Sequence, residues 1–242
     1  GETTTGAIDE AFRHSITHLS ALHFAATEVY KERIIALRGK ADHVYNVGAL
    51  SLDNLNDMEL PDAAVFEKHF GIDMRLPTVL VTFHPETVNW ELNRDYVSVL
   101  CQVLDKLPEQ KVITMPNADT MGNTIREALK TFAADRTDTH LIESFGTEGY
   151  FGCMNLCRFM LGNSSSGIVE AASFGKYVIN IGERQGGRLS GPNVFHCSID
   201  AEKILACAAQ IRTLPDPGKT NLYGDGKTAS RIMTILKKEL HA

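Results

Sequence analysis

The hydrophobic positions of the first fifty residues switch between helical and strand spacing. Residues 7–19 place apolar side chains on one helical face, which predicts an amphipathic helix. The segments 22–26 and 43–47 are typical of short buried strands, and Thr27 is placed to cap a helix between them. This order predicts the closing helix-strand-helix-strand of a doubly wound domain, and we expect that domain to begin before Gly1.

A polar stretch at 51–62 predicts a linker, after which strands and helices alternate again. The predicted strands are 78–83, 111–115, a short one near 141, 158–161 and 177–181. The predicted helices are 96–104, 123–132, one that forms by residue 154, 167–174 and one within 226–240. Such alternation indicates parallel strands joined by crossover helices, hence an α/β fold with a Rossmann-like sheet.

Composition and charge narrow the class of protein. Of the 242 residues, 43% are hydrophobic and 22% charged, as expected for a soluble protein with a real core and no membrane segment, and the scattered cysteines indicate a cytoplasmic protein. A net charge of −6 argues against a general nucleic-acid binder. Five cysteines without paired spacing argue against a zinc site, so no metal is expected.

A serine-rich turn, GNSSSG at 162–167, follows the predicted strand 158–161. Small residues let the backbone approach an anion, Ser164 and Ser165 offer hydroxyl donors, and the next helix adds unpaired N–H groups. Glu170 on the first turn is suited to accept both hydroxyls of a ribose. An ordinary serine-rich helix start with a capping carboxylate fits the spacing equally well.

Other polar side chains follow predicted strands of the same sheet, and the carboxyl ends of parallel strands share one rim. His84 is suited to donate to a phosphate or to carry a proton, although a lone histidine is more often structural. Asn117 lies in a polar turn that also fits an ordinary Asx turn. Ser144 and Phe145 offer backbone groups and a ring to a base. Together these clusters predict a nucleotide cleft.

A second group of charged residues lies at the start of the chain. Glu2, Glu10 and Arg13 include the carboxylates that proton abstraction at carbon requires, one as base and one as acid. Glu10 and Arg13 are also spaced as a simple surface ion pair. Arg184, in the segment GERQGGR, is placed to offset phosphate charge or to lie in a solvated loop.

Five segments carry a resemblance to a known family: GETTTGAIDEAFRHSITHLSALHFAAT, VTFHPET, MPNADTMG, LGNSSSGIVEAASFGKYVINIGERQGGR and LYGDGKTASRI. In that order they resemble the hydrolysing UDP-N-acetylglucosamine 2-epimerases, which include bacterial sialic-acid-pathway enzymes and the epimerase half of the animal bifunctional epimerase/kinase. The resemblance implies a glycosyltransferase-B-like architecture of two Rossmann-type domains. We expect 1–55 to be the end of an incomplete first domain, 56–225 the UDP-binding domain and 226–242 a C-terminal helix.

The resemblance also implies roles for single residues. Glu2 and Glu10 would face the sugar with Arg13 beside them, and His84 would lie near the pyrophosphate. The nucleotide and phosphate contacts would be Asn117, Ser164, Ser165, Glu170 and Arg184, beside Ser144 and Phe145 from the strand-end pattern. In the implied reaction a base takes the proton at sugar C2, UDP leaves, and water adds to the glycal to give N-acetylmannosamine. Neither metal nor cofactor is implied, and a homo-dimer or tetramer is expected.

Three alternatives remain open from the sequence. The chain is suited to bind UDP without turnover, because part of the cleft is expected to lie outside it. A related donor, UDP-diacetylbacillosamine or a GDP-linked sugar, would satisfy the same motifs. A glycosyltransferase shares the architecture, although the pair Glu2 and Glu10 together with His84 speaks against it.

Overall fold

The computed structural model describes residues 1–4, 10–86, 88, 90–116 and 122–240. Its helices are α1 (Glu10–Leu19), α2 (Glu28–Arg38), α3 (Asn54–Asp57), α4 (Ala63–Phe70), α5 (Asn93–Lys106), α6 (Gly122–Ala133), α7 (Gly146–Leu156), α8 (Ser166–Val169), α9 (Ala201–Thr213) and α10 (Thr228–Leu240). Its strands are β1 (His23–Ala25), β2 (Val44–Asn46), β3 (Thr78–Thr82), β4 (Gln110–Thr114), β5 (Thr139–Ile142), β6 (Phe159–Gly162), β7 (Tyr177–Ile181) and β8 (Val194–Cys197). Short 3-10 helices occupy Leu50–Leu52, Trp90–Leu92 and Ala171–Phe174.

Strands β3 to β8 form one parallel sheet in the order β5-β4-β3-β6-β7-β8. Alternate residues of β3 face opposite layers of the core. Val79 and Val81 pack with helices α5, α6 and α9, whereas Leu80 packs with α4 and α7. Helices therefore cover both faces, which explains why β3 is apolar at its centre and buried along its whole length. The predicted α/β class is confirmed.

Strands β1 and β2 form a separate parallel pair. Thr27 caps α2 as predicted, because its hydroxyl accepts from the Tyr30 N–H. The small sheet is joined to the rest through a buried contact: the hydroxyls of Tyr30 and Tyr223 lie 2.9 Å apart. Both hydroxyls also bond the backbone of Leu189, Tyr30 accepting from its N–H and Tyr223 donating to its carbonyl oxygen. This contact fixes the first fifty residues against the larger unit.

Some elements differ from the prediction. The expected linker contains the 3-10 turn Leu50–Leu52 and helix α3, and α4 follows it directly. Strand β8 and helix α9 were not predicted, although Asp200 gives a helix-start signal by accepting from the Lys203 N–H. The single helix expected at 167–174 is wrong: its hydrogen bonds tighten to 3-10 spacing near Glu170, which divides it into α8 and a 3-10 turn.

Among the residues that the structure describes, no helix is long and apolar enough to cross a membrane.

Candidate functional site

The centre of the large sheet is its topological switch point. The chain runs from β3 outward to β4 and β5, then returns to place β6 on the other side of β3. Ligands of open parallel sheets bind at the carboxyl ends of the strands where the order reverses. Gly162 ends β6 with φ +145, and a Cβ there would lie 1.9 Å from the Thr82 carbonyl oxygen. Only glycine allows the two strand ends to approach this closely.

His84 and Asn163 meet at this switch point. The His84 N–H donates to Asn163 Oδ1 at 2.7 Å, and Asn163 Nδ2 donates to the His84 carbonyl oxygen at 2.8 Å. Asn163 is fully buried and His84 half-buried. The sequence pattern named His84 but not Asn163. The structure therefore places the predicted histidine directly beside the serine-rich turn.

The serine loop, residues 162–167, presents hydroxyl and N–H donors at the same edge. The hydroxyls of Ser164 and Ser166 lie 2.9 Å apart, and Tyr150 Oη lies 2.6 Å from Ser166 Oγ. Among the described residues, the N–H groups of Ser164 and Ser165 have no hydrogen-bond acceptor. An anion at this edge would meet two hydroxyls and two N–H groups.

The expected supply of donors from the helix start is only partly present. The N–H of Ser166 already donates to Ser164 Oγ, and the N–H of Gly167 donates to the Ser164 carbonyl oxygen. The prediction of unpaired groups at this helix start is therefore wrong for these two residues. The available N–H groups lie just before them, in the loop itself.

A second loop, residues 182–188, reaches the serine loop from the end of β7. Arg184 Nη1 and Gln185 Nε2 both donate to the Asn163 carbonyl oxygen, at 3.1 and 2.7 Å. The buried carboxylate of Glu86 holds the start of the loop, since its Oε1 accepts from the Glu183 N–H at 2.9 Å. Arg184 thus lies beside the serine loop, and its role as a phosphate contact stays a prediction.

The three charged residues at the start of the chain form one carboxylate cluster: Glu2, Glu10 and Arg13. Arg13 lies 3.4 Å from Glu2 Oε2 and 3.5 Å from Glu10 Oε2. Glu10 Oε2 also accepts from the Thr4 N–H at 2.8 Å, and Thr4 accepts from Arg13. Each side chain of the cluster keeps roughly a quarter of its surface exposed. The arginine holds the two carboxylates side by side within reach of solvent.

The loop 182–188 joins this cluster to the serine loop. Arg188 Nε lies 3.0 Å from Glu2 Oε1, and the Thr3 hydroxyl donates to the Gly187 carbonyl oxygen at 3.1 Å. One end of the loop therefore contacts the residues after β6, and the other end contacts the residues around Glu2. We call residues 182–188 the bridging loop.

Glu170 lies between the two parts of the chain. It is 8% exposed, and the Ser51 hydroxyl donates to its Oε1 at 2.5 Å. Burial raises the pKa of its carboxyl above the usual value, while the Ser51 bond and nearby Arg188 act in the other direction. The sequence named Glu170, but not Ser51 from the predicted linker.

The remaining residues predicted to contact the nucleotide have different outcomes. Ser144 is exposed, but its hydroxyl accepts from the Gly146 N–H at the start of α7. The ring of Phe145 packs against Phe66 and Phe70, 9% exposed, so the expectation that it is offered to a base is wrong. Asn117 lies outside the described residues.

Within the described ranges, no group of three or more His, Cys, Asp or Glu side chains is arranged to hold a metal ion. The donors at the switch point are hydroxyl, amide, guanidinium and backbone N–H groups, which suit an anion.

Three comparisons place the chain among known proteins. A family model described as UDP-N-acetylglucosamine 2-epimerase matches residues 1–237. The UDP-N,N'-diacetylbacillosamine 2-epimerase (hydrolyzing) of Legionella pneumophila is 33% identical over 98% of this chain and 63% of its own length. The GDP/UDP-N,N'-diacetylbacillosamine 2-epimerase (hydrolyzing) of Campylobacter jejuni is 35% identical over 83% of this chain and 53% of its own length.

The structural comparison agrees on the fold. The UDP-GlcNAc 2-epimerase of Neisseria meningitidis, solved bound to UDP-GlcNAc, superposes with a TM-score of 0.82 at 21% identity. The match covers 97% of this chain and 66% of that one. The fold is glycosyltransferase-B-like, with parallel α/β sheets, as the family resemblance implies.

Proposed function

The chain belongs to the UDP-N-acetylglucosamine 2-epimerase family, and from that membership we propose that the protein is a hydrolysing 2-epimerase. Its substrate is a UDP-linked 2-acetamido sugar, and its products are UDP and the free sugar with C2 inverted. UDP-N-acetylglucosamine, giving N-acetylmannosamine, is the donor that we propose first. The chain spans about 60% of the length of its relatives, so this proposal concerns the whole protein.

The bridging loop is the observation that carries the proposal. It contacts Asn163 through Arg184, and Glu2 through Arg188. An anion-binding edge and a pair of carboxylates therefore lie at the two ends of one short segment. A nucleotide sugar has the same layout, with phosphates at one end and the carbon that must lose a proton at the other.

The residue roles follow from this layout and are part of the proposal. The hydroxyls of Ser164 and Ser165 and the side chain of Arg184 hold the pyrophosphate, with His84 beside it. Glu170 accepts from the ribose, and Asn117 contributes to the nucleotide contacts. At the carboxylate cluster, Glu2 and Glu10 act as base and acid at C2, and Arg13 holds them together.

The reaction is balanced by one water molecule. A carboxylate takes the C2 proton, the C2–H electrons form the C1–C2 double bond, and the C1–O bond breaks as UDP leaves with its electron pair. Water then adds its hydroxyl to C1 while a carboxyl gives a proton to the opposite face of C2 and takes up the remaining proton of the water. The proton first taken from C2 is released to solvent. Arg184 and the hydroxyl and N–H donors of the serine loop stabilise the charge that develops on the leaving UDP.

One observation favours a second sugar nucleotide as the substrate. The two relatives at 33% and 35% identity are named for diacetylbacillosamine, not for N-acetylglucosamine. UDP-diacetylbacillosamine is therefore the alternative substrate that we propose. The division of the chain at residues 55 and 225, and a homo-oligomeric state, also remain proposals.

Isotope labelling tests the proposed reaction. The purified protein is incubated with either donor in D₂O or in H₂¹⁸O, and the sugar and UDP are analysed by mass spectrometry and NMR. We expect deuterium at C2 and ¹⁸O at C1 of the product sugar, with no label in UDP. Simple hydrolysis without deuterium at C2, or transfer of the sugar to an acceptor, would overturn the proposal.

Calorimetry with UDP on residues 1–242 separates binding from turnover. Binding without product from this segment, beside turnover by the whole protein, supports our assignment of the serine loop as the UDP end. Absence of product from the whole protein with every donor would leave only a UDP-binding protein.

A further inference from the structure

The side chain of Asn163, which the sequence pattern did not single out, contacts the backbone of His84 at two points. Its amide is fully buried and bonds both backbone groups of one residue, accepting from the His84 N–H and donating to the His84 carbonyl oxygen. We propose that Asn163 is a positioning residue, which fixes the backbone of His84 and thereby the direction of its imidazole. The inference rests on the proposed function, in which His84 lies beside the pyrophosphate.

The backbone of His84 needs such a constraint. The strand β3 ends at Thr82, so the parallel ladder does not hold residue 84. The amide of Asn163 bonds on either side of the His84 Cα, which restricts both dihedral angles of that residue. A displacement of about 1 Å at a reacting group costs about 100-fold in rate, so this restriction affects catalysis.

The chemistry of the side chain explains why it is asparagine. A carboxamide offers one acceptor and one donor on a single short stem, which matches one N–H and one carbonyl. An aspartate keeps the shape and the acceptor but places a second oxygen against the His84 carbonyl oxygen. When that carboxylate is protonated, its O–H replaces the lost donor.

The backbone of Asn163 has a different task from its side chain. Its carbonyl oxygen accepts from Arg184 and Gln185, and its N–H donates to the Thr82 carbonyl oxygen. None of these bonds depends on the side chain. A change of the amide alone therefore acts on His84 and spares the link to the bridging loop.

Asn163→Asp in the whole protein tests the proposal. We expect kcat to fall about 100-fold near neutral pH while KM and the Kd of UDP stay within about threefold. As the pH is lowered from about 8 to about 5.5, the ratio of variant to wild-type kcat should rise, because the introduced carboxyl regains the donor when it is protonated. A purely structural defect would not recover on acidification.

Asn193→Asp is the control. Asn193 is buried like Asn163, and its Nδ2 donates to the Lys176 carbonyl oxygen at 2.8 Å, before β7 and at the opposite end of the strands from the serine loop. We expect it to lower the melting temperature by an amount similar to Asn163→Asp, with kcat within about threefold of wild type.

NMR of labelled histidine in residues 1–242 gives a readout that needs no turnover. His84→Gln identifies the His84 signal, and Asn163→Asp should shift that signal while Asn193→Asp leaves it unchanged. If wild type is inactive but this shift is seen, the proposed function fails and the positioning role stands. The positioning role is overturned if the His84 signal is unchanged, if kcat is retained, or if both variants lose kcat equally.

Discussion

The sheet of β3–β8 carries helices on both faces, whereas the pair β1 and β2 is covered much less completely. Along β3 all residues are buried, but α1 beside the small sheet exposes Phe12, Ile16 and Leu19 by 66%, 62% and 87%. Two strands alone form a marginally stable sheet. We infer that the large sheet supplies the rigid frame of the site, and that the carboxylate cluster depends on contacts with it.

The two ends of the candidate site also differ in how rigidly their side chains are held. His84 and Arg184 are held through buried backbone and amide atoms of the large sheet unit, at Asn163. Glu2 and Glu10 are held by a partly exposed arginine. The proposed anion-binding end is therefore set before a ligand arrives, whereas ion pairs of this exposure contribute little to rigidity.

The largest effect should come from replacing a buried isoleucine by alanine in each of the two regions. We expect Ile113→Ala in β4 to lower the free energy of unfolding by about 4 kcal/mol and Ile34→Ala in α2 by about 2 kcal/mol. Ile113 is enclosed on all sides, whereas Ile34 lies near the sparsely covered helix α1. Urea denaturation measures both, and an equal or larger loss for Ile34 would contradict the comparison.

The buried ion pair of the large sheet is the next target. Glu109 is 1% exposed in its side chain and accepts from Arg212 at 2.6 and 2.7 Å. Arg212→Met should cost about 3 kcal/mol, because it leaves that buried carboxylate with the more distant Arg158, 4.0 Å away. Asp225 and Arg231 form an exposed pair of similar geometry, and Arg231→Met should cost much less.

The pH dependence of this pair has a definite sign. Burial alone would raise the pKa of Glu109, but the bonds from Arg212, a backbone hydrogen bond and the charge of Arg158 together outweigh burial and hold the pKa below its usual range. A carboxyl whose pKa is depressed in the folded state stabilises the fold above its unfolded pKa, and this contribution is lost as the pH falls through the folded pKa. Thermal melts across the acid range should show that loss in wild type and not in Arg212→Met.

Glu170→Gln should separate binding from stability. We expect the Kd of UDP to rise about tenfold, because a charged acceptor of the ribose is lost. Burial raises the pKa of Glu170, so the native state binds the proton more tightly and stability falls as the pH rises past the ordinary carboxyl pKa. The variant should therefore melt at a higher temperature than wild type near neutral pH. A lower melting temperature together with unchanged UDP affinity would contradict this assignment.

Tyr150→Phe should give a smaller effect at the same end of the site. Tyr150 Oη lies 2.6 Å from Ser166 Oγ, which in turn neighbours Ser164. Loss of this hydrogen bond should raise the Kd of UDP about fivefold, equivalent to about 1 kcal/mol. Tyr177→Phe removes a bond to the Pro215 carbonyl oxygen at the sheet's other end and should leave UDP affinity unchanged.

Leu19→Lys should have the smallest effect. In residues 1–242 this exposed side chain should change the free energy of unfolding by less than about 0.5 kcal/mol. A loss above about 1 kcal/mol would show that the apolar face of α1 is covered in solution.

The elements that could be predicted from the sequence are those whose signals are local. Strand 177–181 was predicted with the same bounds as found, and most other strands were predicted within a residue or two. Short apolar runs bounded by polar turns are a strong local signal for strands. Strand β8 has only partly buried apolar residues and an exposed His196, so its pattern is weak. The break at Glu170 depends on packing around the site, which local propensity does not contain.

The positions of several candidate site residues could be predicted from the sequence, but the contacts between them could not. His84, Ser164 and Glu170 follow strands in the sequence, so the strand-end rule finds them. The roles of Asn163 and Ser51 depend on partners far along the chain, 79 and 119 residues away. The ring of Phe145 was misjudged, because its contacts with Phe66 and Phe70 arise from α4, which the pattern did not predict.

The strand order has a consequence for how the protein folds. His84 and Asn163 lie 79 residues apart, and their contact requires β6 to return beside β3 after β4 and β5 have formed the other half of the sheet. Closing so long a loop is slow compared with pairing neighbouring strands. During synthesis, the chain must therefore extend past residue 163 before the two strand ends can meet, and the edge that we propose binds an anion is assembled late.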